Sequence, residues 1–226
     1  MKTLGIIGGT SYHSTLYYYK EINRLVSKQI GSSQNPELII YSINIDVMRR
    51  QIEDEINDKY LEVAQKLENA GAEAIIIAAN TPHMAVDYVQ PKINIPFLHI
   101  GDATAQKAKN INAQKLLLLG NKPTISKRFL KEYLSQQHHL EILTPNTEAI
   151  EKSHYYISKE LTMGIFSEEA KAFYKQLISE HKTTVDAVIL GCTELPILLQ
   201  NENLTIPTLS TTDLHIQSAC NFILHN

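Results

Sequence analysis

The sequence predicts an α/β protein made of two similar pseudo-symmetric domains, each a mostly parallel four-stranded sheet flanked by helices. Two observations carry this prediction. Short apolar runs that suit buried strands alternate with stretches whose apolar residues recur at helical spacing, a pattern typical of parallel sheets. The apolar runs also fall into two sets of four, and the second set repeats the first at a nearly constant offset.

The predicted strands follow one another in regular order along the chain. They are residues 3–9, 37–44, 72–80, 95–100, 115–121, 140–146, 186–192 and 206–211. Stretches such as NDKYLEVAQKLENAGA and SEEAKAFYKQLISEH lie between them and have the 3.6-residue period of amphipathic helices. A final helix is predicted for DLHIQSACNFILHN.

The internal repeat predicts the domain boundaries. Matching positions are Gly8 and Gly120 (112 apart), Ala79 and Cys192 (113 apart), and Pro96 and Pro207 (111 apart). We therefore expect one domain from residues 1–98 and 208–226, with the last helix folded back onto it, and a second from residues 99–207. The alternative is one continuous sheet whose halves are similar by accident.

Composition limits the classes of function. The chain has 226 residues, 43% of them apolar and 20% charged, and a net charge of −3 without a dense cluster of Lys or Arg. These values are typical of a globular protein and give little support to a nucleic-acid or membrane partner. No apolar run approaches the ~20 residues of a membrane span, and residues 4–9 are too short for a signal peptide. Two cysteines are too few for a disulfide framework, so a cytoplasmic location is expected.

The ends of the predicted strands are where a ligand site is expected. Ligands bind beyond the carboxyl ends of parallel strands, where the free N–H groups of the following helices favour anions. These ends read GGTSYHST, ANTPHM, GNKPTISK and GCTELP, and all four offer hydroxyl or amide side chains. If the two halves face each other, the cleft between them suits a small dicarboxylate or an amino acid.

Cys192 is the one obvious nucleophile or base in these strand ends. At a helix N-terminus its pKa is expected to fall below the free value, which makes thiolate available at neutral pH. The alternative is a small buried residue that fills a strand end. Cys220 lies in an apolar stripe of the last helix and is interpreted as a packing residue.

The polar residues near the strand ends each have a structural interpretation, and some have a functional one as well. Asn80 and Thr81 are either helix caps or donors that hold a substrate carboxylate. His83 is a general acid, a residue that orients its neighbours, or a surface histidine. Three cations have no local signal and are interpreted as surface charges: Arg49, Arg50 and Lys152.

Nucleotide and metal chemistry receive little support. GIIGGTS is neither G-x-G-x-x-G nor a phosphate loop, although Asp46 after the second strand keeps a dinucleotide-binding alternative open. No His/Cys/Asp cluster has metal-ligand spacing. We expect no cofactor and no metal.

Over nearly its whole length the sequence resembles the aspartate/glutamate racemase family, most closely its broad or L-specific bacterial branch. The segments that carry the resemblance are GIIGGTSYHSTLYYYKEIN, NTPH, IPFLHIGDAT, KELTMGIF and GCTELP. The resemblance implies a homodimeric, PLP-independent isomerase that produces D-amino acids. Two cysteines on opposite sides of the substrate Cα would remove and return its proton.

The resemblance also implies roles for individual residues. Cys192 is the base that acts on the L enantiomer, and the substrate-binding and supporting positions follow from the matching motifs. The substrate α-carboxylate and amino group would be held by Asn80, Thr81 and Thr193, with Gly9 and Thr10 lining the floor of the site and Asn121 and Thr124 also binding substrate. The side-chain carboxylate of the substrate would meet Lys152, with Arg49 or Arg50 as a second clamp. The residues that touch substrate would be supported by His83 and Glu194.

The sequence departs from the family pattern at three positions. Ala79 stands where the first cysteine is expected, Asn121 where threonine is usual, and Ser210 where aspartate is usual. Ala79 matters most, because a methyl group can neither accept nor donate a proton. Three explanations of the alanine are open. It is an engineered substitution; it is natural, with water or His83 as the proton donor on that face; or the chemistry of the protein has changed.

The sequence as a whole predicts an amino-acid racemase for aspartate or glutamate, with Cys192 as the remaining acid/base and full racemisation impaired by Ala79. The substrate is then an acidic amino acid. Two alternatives are an inactive protein that binds acidic amino acids and a single-cysteine relative of the arylmalonate decarboxylase type, which protonates one face only.

Overall fold

The computed structural model describes residues 1–225, apart from the side chain of Arg128. Its packing divides the chain into two compact units, Met1–Ile100 with the C-terminal segment from His215 (unit 1) and Gly101–Leu214 (unit 2). The boundaries expected from the internal repeat, after residues 98 and 207, remain a prediction. No helix of the described chain is long and apolar enough to cross a bilayer.

Unit 1 is a parallel sheet with helices on both faces. Its elements are β1 (Leu4–Gly8), α1 (Tyr12–Ile30), β2 (Leu38–Ser42), α2 (Asp46–Arg50), α3 (Glu53–Asn69), β3 (Ala74–Ile77), a 3₁₀ helix (Thr81–Ala85), α4 (Val86–Val89) and a second 3₁₀ helix (Gln90–Lys92). The strand order is β2-β1-β3. Leu4 of β1 pairs in parallel register with Leu38 of β2 and with Ala74 of β3.

Unit 2 has a four-stranded parallel sheet. Its elements are α5 (Ile100–Asn110), β4 (Lys115–Leu119), α6 (Lys122–Ser126), α7 (Arg128–His138), β5 (Glu141–Leu143), α8 (Thr147–Lys159), a 3₁₀ helix (Leu161–Met163), α9 (Glu168–His181), β6 (Ala187–Leu190), α10 (Leu195–Leu198) and β7 (Thr208–Ser210). The chain then enters α11 (Thr211–Leu224), most of which belongs to unit 1. The order β5-β4-β6-β7 has the same connectivity pattern as unit 1.

The prediction of an α/β fold with two parallel sheets is confirmed, and the fourth strand of the first half needs a correction. Residues 95–100 form only a single parallel bridge, Ile75 to Phe97, supported by a 2.8 Å bond from the Leu98 N–H to the Ile75 carbonyl. Pro96 has no N–H to donate, and α5 already begins at Ile100, so the segment is too short for a ladder.

Apolar side chains cover both faces of the unit 1 sheet, which explains why its strands are apolar throughout. Ile7 packs with Ile56 and Tyr60 of α3 on one face. On the other face, Ile6 packs with Tyr18 of α1 and with the α11 residues Ile216, Ala219, Cys220 and Ile223. Cys220 is fully buried there. This packing fixes the carboxyl edge of the sheet, where the polar strand ends lie.

Candidate active site

Cys192 lies two residues beyond the carboxyl end of β6, where the sequence predicted a site residue. The preceding Gly191 donates its N–H to the Leu119 carbonyl at 2.7 Å, and a Cβ at Gly191 would lie 2.8 Å from that oxygen. This close approach holds the chain against β4 just before the thiol. Cys192 itself is only 9% exposed.

The Cys192 thiol donates a hydrogen bond to a carboxylate. Its Sγ lies 2.8 Å from Oε2 of Glu194, two residues further along the chain. Burial raises the pKa of the thiol well above its usual value, and the charge and hydrogen bond of Glu194 add to this effect; the N–H groups of Glu194 and Thr193 oppose it. The resting side chain is therefore a protonated thiol that can donate.

The expected lowering of the Cys192 pKa is wrong for this structure. That expectation relied on the positive end of a helix dipole. The helix that follows, α10, has only four residues and begins three positions after the thiol. Burial and the adjacent Glu194 carboxylate outweigh the N–H groups of Glu194 and Thr193.

Asn121 and Thr124 stand at the neighbouring strand end, after β4. Asn121 is the N-cap of α6, and its Oδ1 accepts the Thr124 N–H at 2.9 Å. Thr124 is buried, and its methyl group lies 3.2 Å from where a Cβ would stand at either Gly120 or Gly191. Thr124 thus packs between the ends of β4 and β6, whereas the half-buried Asn121 is the more accessible of the two.

A polar network that the sequence did not reveal supports this edge. The Ser153 hydroxyl of α8 donates to the Gly120 carbonyl at 2.7 Å and lies 2.7 Å from the Tyr174 hydroxyl of α9. Both side chains are fully buried, and burial raises the pKa of Tyr174. A serine and a tyrosine within amphipathic helices carry no signal that distinguishes them from ordinary core positions.

Gly9 and Thr10 follow β1 in unit 1. Gly9 has φ +93°, and a Cβ there would lie 2.1 Å from the Ile43 carbonyl oxygen, so this position requires glycine. The Gly9 N–H donates to Thr15 Oγ1 at 3.0 Å. Thr10 Oγ1 lies 3.0 Å from the hydroxyl of the buried Tyr60. The turn is therefore held rigidly against α1 and α3.

Ala79 and Asn80 follow β3, the strand beside β1. Ala79 is half-buried, and its N–H donates to the Ile77 carbonyl at 2.8 Å. Asn80 is 9% exposed, makes no side-chain capping bond to the 3₁₀ helix, and its Oδ1 has no hydrogen-bond partner among the described residues. A buried amide oxygen without a partner is costly. The structure therefore disfavours the helix-cap reading of Asn80.

His83 is buried in the 3₁₀ helix Thr81–Ala85, behind the half-buried Thr81. Its Nδ1 lies 2.9 Å from the Ala79 carbonyl oxygen and 3.1 Å from that of Asn80. Burial lowers the pKa of His83 well below its usual value. A neutral ring bonded to the backbone suits the residue that orients its neighbours, and it does not suit a general acid.

The three predicted cations differ in their surroundings. Arg50 is paired with Asp46 at 3.4 Å and Glu55 at 2.7 Å. Arg49 is exposed at the end of α2 and forms no ion pair within residues 1–225. The Lys152 ammonium lies 5.1 Å from the centre of the Phe173 ring, in a groove between α8 and α9 that none of the other predicted site residues lines.

The structure thus gathers most predicted site residues at the carboxyl edges of the two sheets. The adjacent strands β1 and β3 are followed by Gly9, Thr10, Ala79, Asn80 and Thr81. The adjacent strands β4 and β6 are followed by Asn121, Thr124, Cys192, Thr193 and Glu194. In the described part of the chain, no group of three or more His, Cys, Asp or Glu side chains could hold a metal ion.

The chain contains two α/β units, each built on a parallel sheet with polar residues at the ends of adjacent strands, and comparison with known proteins identifies its class. The chain belongs to the Asp/Glu/hydantoin racemase family, whose sequence profile matches residues 7–219. It is therefore an isomerase of the amino-acid racemase type. The sequence-based assignment to this family is confirmed.

Individual relatives cover almost the whole chain. A broad-specificity amino-acid racemase of Bacillus subtilis is 25% identical over 92% of both chains. A Yersinia pestis protein, provisionally described as an Asp/Glu racemase, has a crystal structure that matches all of both chains at 33% identity and a TM-score of 0.94. An aspartate racemase homologue from Pyrococcus horikoshii matches all of both chains at 35% identity and a TM-score of 0.89.

Proposed function

We propose that the protein acts on aspartate or glutamate without a cofactor and that Cys192 removes and returns the Cα proton. The observation that carries the proposal is the hydrogen bond of 2.8 Å between the Cys192 thiol and Glu194, at the carboxyl end of a parallel strand. A thiol beside a proton acceptor can switch between acid and base within one site.

The proton balance assigns a role to each partner of this pair. As substrate binds, Glu194 takes the thiol proton, and the Cys192 thiolate then removes the proton from Cα. The Cα–H bond breaks, and its electron pair moves into the substrate carboxylate, which becomes an enediolate. Hydrogen-bond donors around that carboxylate stabilise the developing charge. Return of a proton from the thiol restores the amino acid.

Asn80 and Arg49 are the substrate contacts that the local geometry supports best. The buried Asn80 Oδ1 needs a donor, and the ammonium group of an amino acid supplies one. Arg49 is an exposed guanidinium without an ion pair in the described chain, and it can bind a carboxylate in a bidentate manner. Thr10, Thr81, Asn121 and Thr193 are half-buried strand-end residues that complete the proposed set.

Ala79 limits the reaction that we propose. It occupies the position that matches Cys192 in the first half of the sequence, and its methyl group cannot carry a proton. Exchange of the Cα proton on the Cys192 face is expected to be faster than inversion to the D enantiomer. His83 does not replace the missing acid, because both of its ring nitrogens are bonded to the backbone.

A second candidate follows from the protonated state of the thiol. Burial and Glu194 keep the proton on Cys192, which suits an enzyme that protonates one face of a carbanion after decarboxylation. Substituted malonates are the substrate class for that reaction. We place it behind proton exchange at Cα of an amino acid because the unpartnered Asn80 oxygen favours an ammonium group.

Solvent-deuterium exchange tests the proposal. L-aspartate and L-glutamate are incubated with the enzyme in D₂O, and loss of the Cα proton signal is followed by NMR. Cys192→Ser is expected to abolish exchange, because a serine hydroxyl is far too weak an acid to form the base. Cys220→Ser is the matched control, since this buried thiol lies in the α11 core, and it is expected to retain exchange.

The outcomes separate the candidates. Binding of L-aspartate without any exchange identifies a binding protein and refutes the proposal. Release of CO₂ from a substituted malonate, without exchange of amino acids, identifies the decarboxylase. We also propose a homodimer in a reducing, cytoplasmic compartment, supported by the family resemblance and by two free thiols; sedimentation equilibrium tests the dimer.

A further inference from the structure

Three histidines that the proposed reaction does not use are buried side by side in unit 1. His83, His99 and His215 are 3%, 5% and 0% exposed. The ring centres of His83 and His99 are 4.8 Å apart, and those of His83 and His215 are 5.4 Å apart. The three come from the 3₁₀ helix after β3, the segment before α5, and α11.

The partners of His83 identify its tautomer. Its Nδ1 faces two carbonyl oxygens, those of Ala79 and Asn80, and must therefore carry the proton. Its Nε2 accepts the N–H of Ile100 at 3.3 Å and must therefore be unprotonated. A second proton on Nε2 would point at that N–H group, so the site accepts only the neutral ring.

His215 is held through both of its ring nitrogens. Its Nε2 lies 2.7 Å from the Leu98 carbonyl oxygen and donates to it. Its Nδ1 lies 3.0 Å from the Tyr18 hydroxyl of α1. These bonds join α1, the segment before α5 and α11 around His83.

The electrostatics of the cluster oppose a positive charge on His83. The titratable groups that face it are the imidazoles of His99 and His215, with the Tyr18 phenol behind His215. Burial is the main reason that the pKa of His83 is low, and the two imidazoles lower it further. The hydrogen bonds to the Asn80 and Ala79 backbone act in the other direction and raise the pKa.

We propose that His83 is a positioning residue for the Ala79–Asn80 turn, which it holds through its neutral Nδ1–H tautomer, and that acidification releases this turn. The inference rests on the proposed function only in assigning Asn80 a role in substrate binding. A proton on Nε2 breaks the bond from Ile100 and puts a buried positive charge beside the His99 and His215 rings, so the charged ring leaves its site. The carbonyls of Ala79 and Asn80 then lose their common donor.

Two variants of similar polarity separate positioning from packing. In His83→Asn the amide nitrogen can occupy the place of Nδ1 and still donate to the two carbonyls. In His83→Gln the amide reaches the place of Nε2, and the donor to the carbonyls is lost. Cα exchange is expected to survive in His83→Asn, with a weakened acid limb in its pH profile, and to fall at least tenfold in His83→Gln. Equal effects of the two variants overturn the proposal.

Measurements on the wild-type protein keep the inference testable even if both variants fail to fold or the enzyme shows no exchange. Long-range ¹H–¹⁵N spectra of histidine-labelled protein are expected to show one neutral Nδ1–H histidine that does not titrate near the usual value of about 6.5. An Nε2–H tautomer for His83, or ordinary titration, refutes the inference. If the enzyme shows no Cα exchange but the histidine spectrum is as expected, the proposed function is refuted and the inference about His83 stands.

Stability against pH supplies an independent readout. The unfolded chain binds a proton on His83 below pH about 6.5, whereas the folded chain does not, so stability is complete above that pH and is lost as the pH falls. The unfolding equilibrium constant is expected to rise up to about tenfold per pH unit from this site. His83→Asn removes this dependence, and the exposed control His225→Gln leaves it in place. If stability depends on pH equally in these two variants, the inference is contradicted.

Discussion

Replacement of Gly9 by alanine is expected to destabilise the protein far more than the same change at Gly71, although both residues have nearly the same φ. Gly9 has φ +93° and Gly71 has φ +96°. An alanine at such φ costs about 1–3 kcal/mol wherever it lies. The pair therefore separates backbone strain from contact with neighbouring groups.

The difference in surroundings sets the magnitude. A Cβ at Gly71 meets nothing within 4 Å, whereas a Cβ at Gly9 lies 2.1 Å from the Ile43 oxygen and 2.5 Å from its nitrogen. The loops must separate, which breaks the 2.9 Å bond from the Ile43 N–H to the Gly8 carbonyl. Leaving a buried carbonyl without a partner costs about 1–3 kcal/mol more. We expect about 2 kcal/mol for Gly71→Ala and about 4 kcal/mol for Gly9→Ala.

Urea unfolding followed by far-UV circular dichroism measures both values. With a slope of about 2 kcal/mol per molar urea, the two midpoints should differ by about 1 M, and only Gly9→Ala should reduce Cα exchange. Equal midpoints would mean that the approach of β1 to residue 43 is not constrained as described. The reasoning about the floor of the candidate site would then be refuted.

Three further changes give simple readouts. Glu194→Gln removes a carboxylate that helps to raise the Cys192 pKa. In a Cys220→Ser background, the thiolate absorbance at 240 nm should therefore develop at lower pH. An unchanged or raised pKa contradicts the assigned role of Glu194. Ala79→Cys should produce D-aspartate or D-glutamate, seen by chiral chromatography, and no gain places the divergence elsewhere. Ser153→Ala removes the hydroxyl that donates to the Gly120 carbonyl and contacts the Tyr174 hydroxyl, and it should cost about 1–3 kcal/mol in urea unfolding; a cost below about 0.5 kcal/mol argues against the network.

The strands were predictable because buried parallel strands are apolar on both faces, and the runs around Ile6, Ile76 and Leu118 stand out against polar helices. The length of the fourth strand in the first half was not predictable, because an apolar run does not reveal how many residues pair before the next helix begins. Pro96 and the early start of α5 leave one bridge there.

The candidate site was predictable in position and less so in chemistry. Strand ends locate Cys192 and Asn80, because parallel strands place their carboxyl ends at one edge. The sign of the Cys192 pKa shift depends on where the Glu194 side chain points and on the length of α10, which sequence does not show. The histidine cluster depends on contacts such as that between Tyr18 and His215, which are 197 positions apart.

The hydrogen bond between Cys192 and Glu194 also bears on how the enzyme survives oxidants. Peroxides and alkylating agents attack thiolates, and a buried thiol that retains its proton is a poor target. The only other cysteine, Cys220, is fully buried in the α11 core. The sulfur would then become vulnerable chiefly during turnover, so that inactivation by iodoacetamide should accelerate when L-aspartate is present.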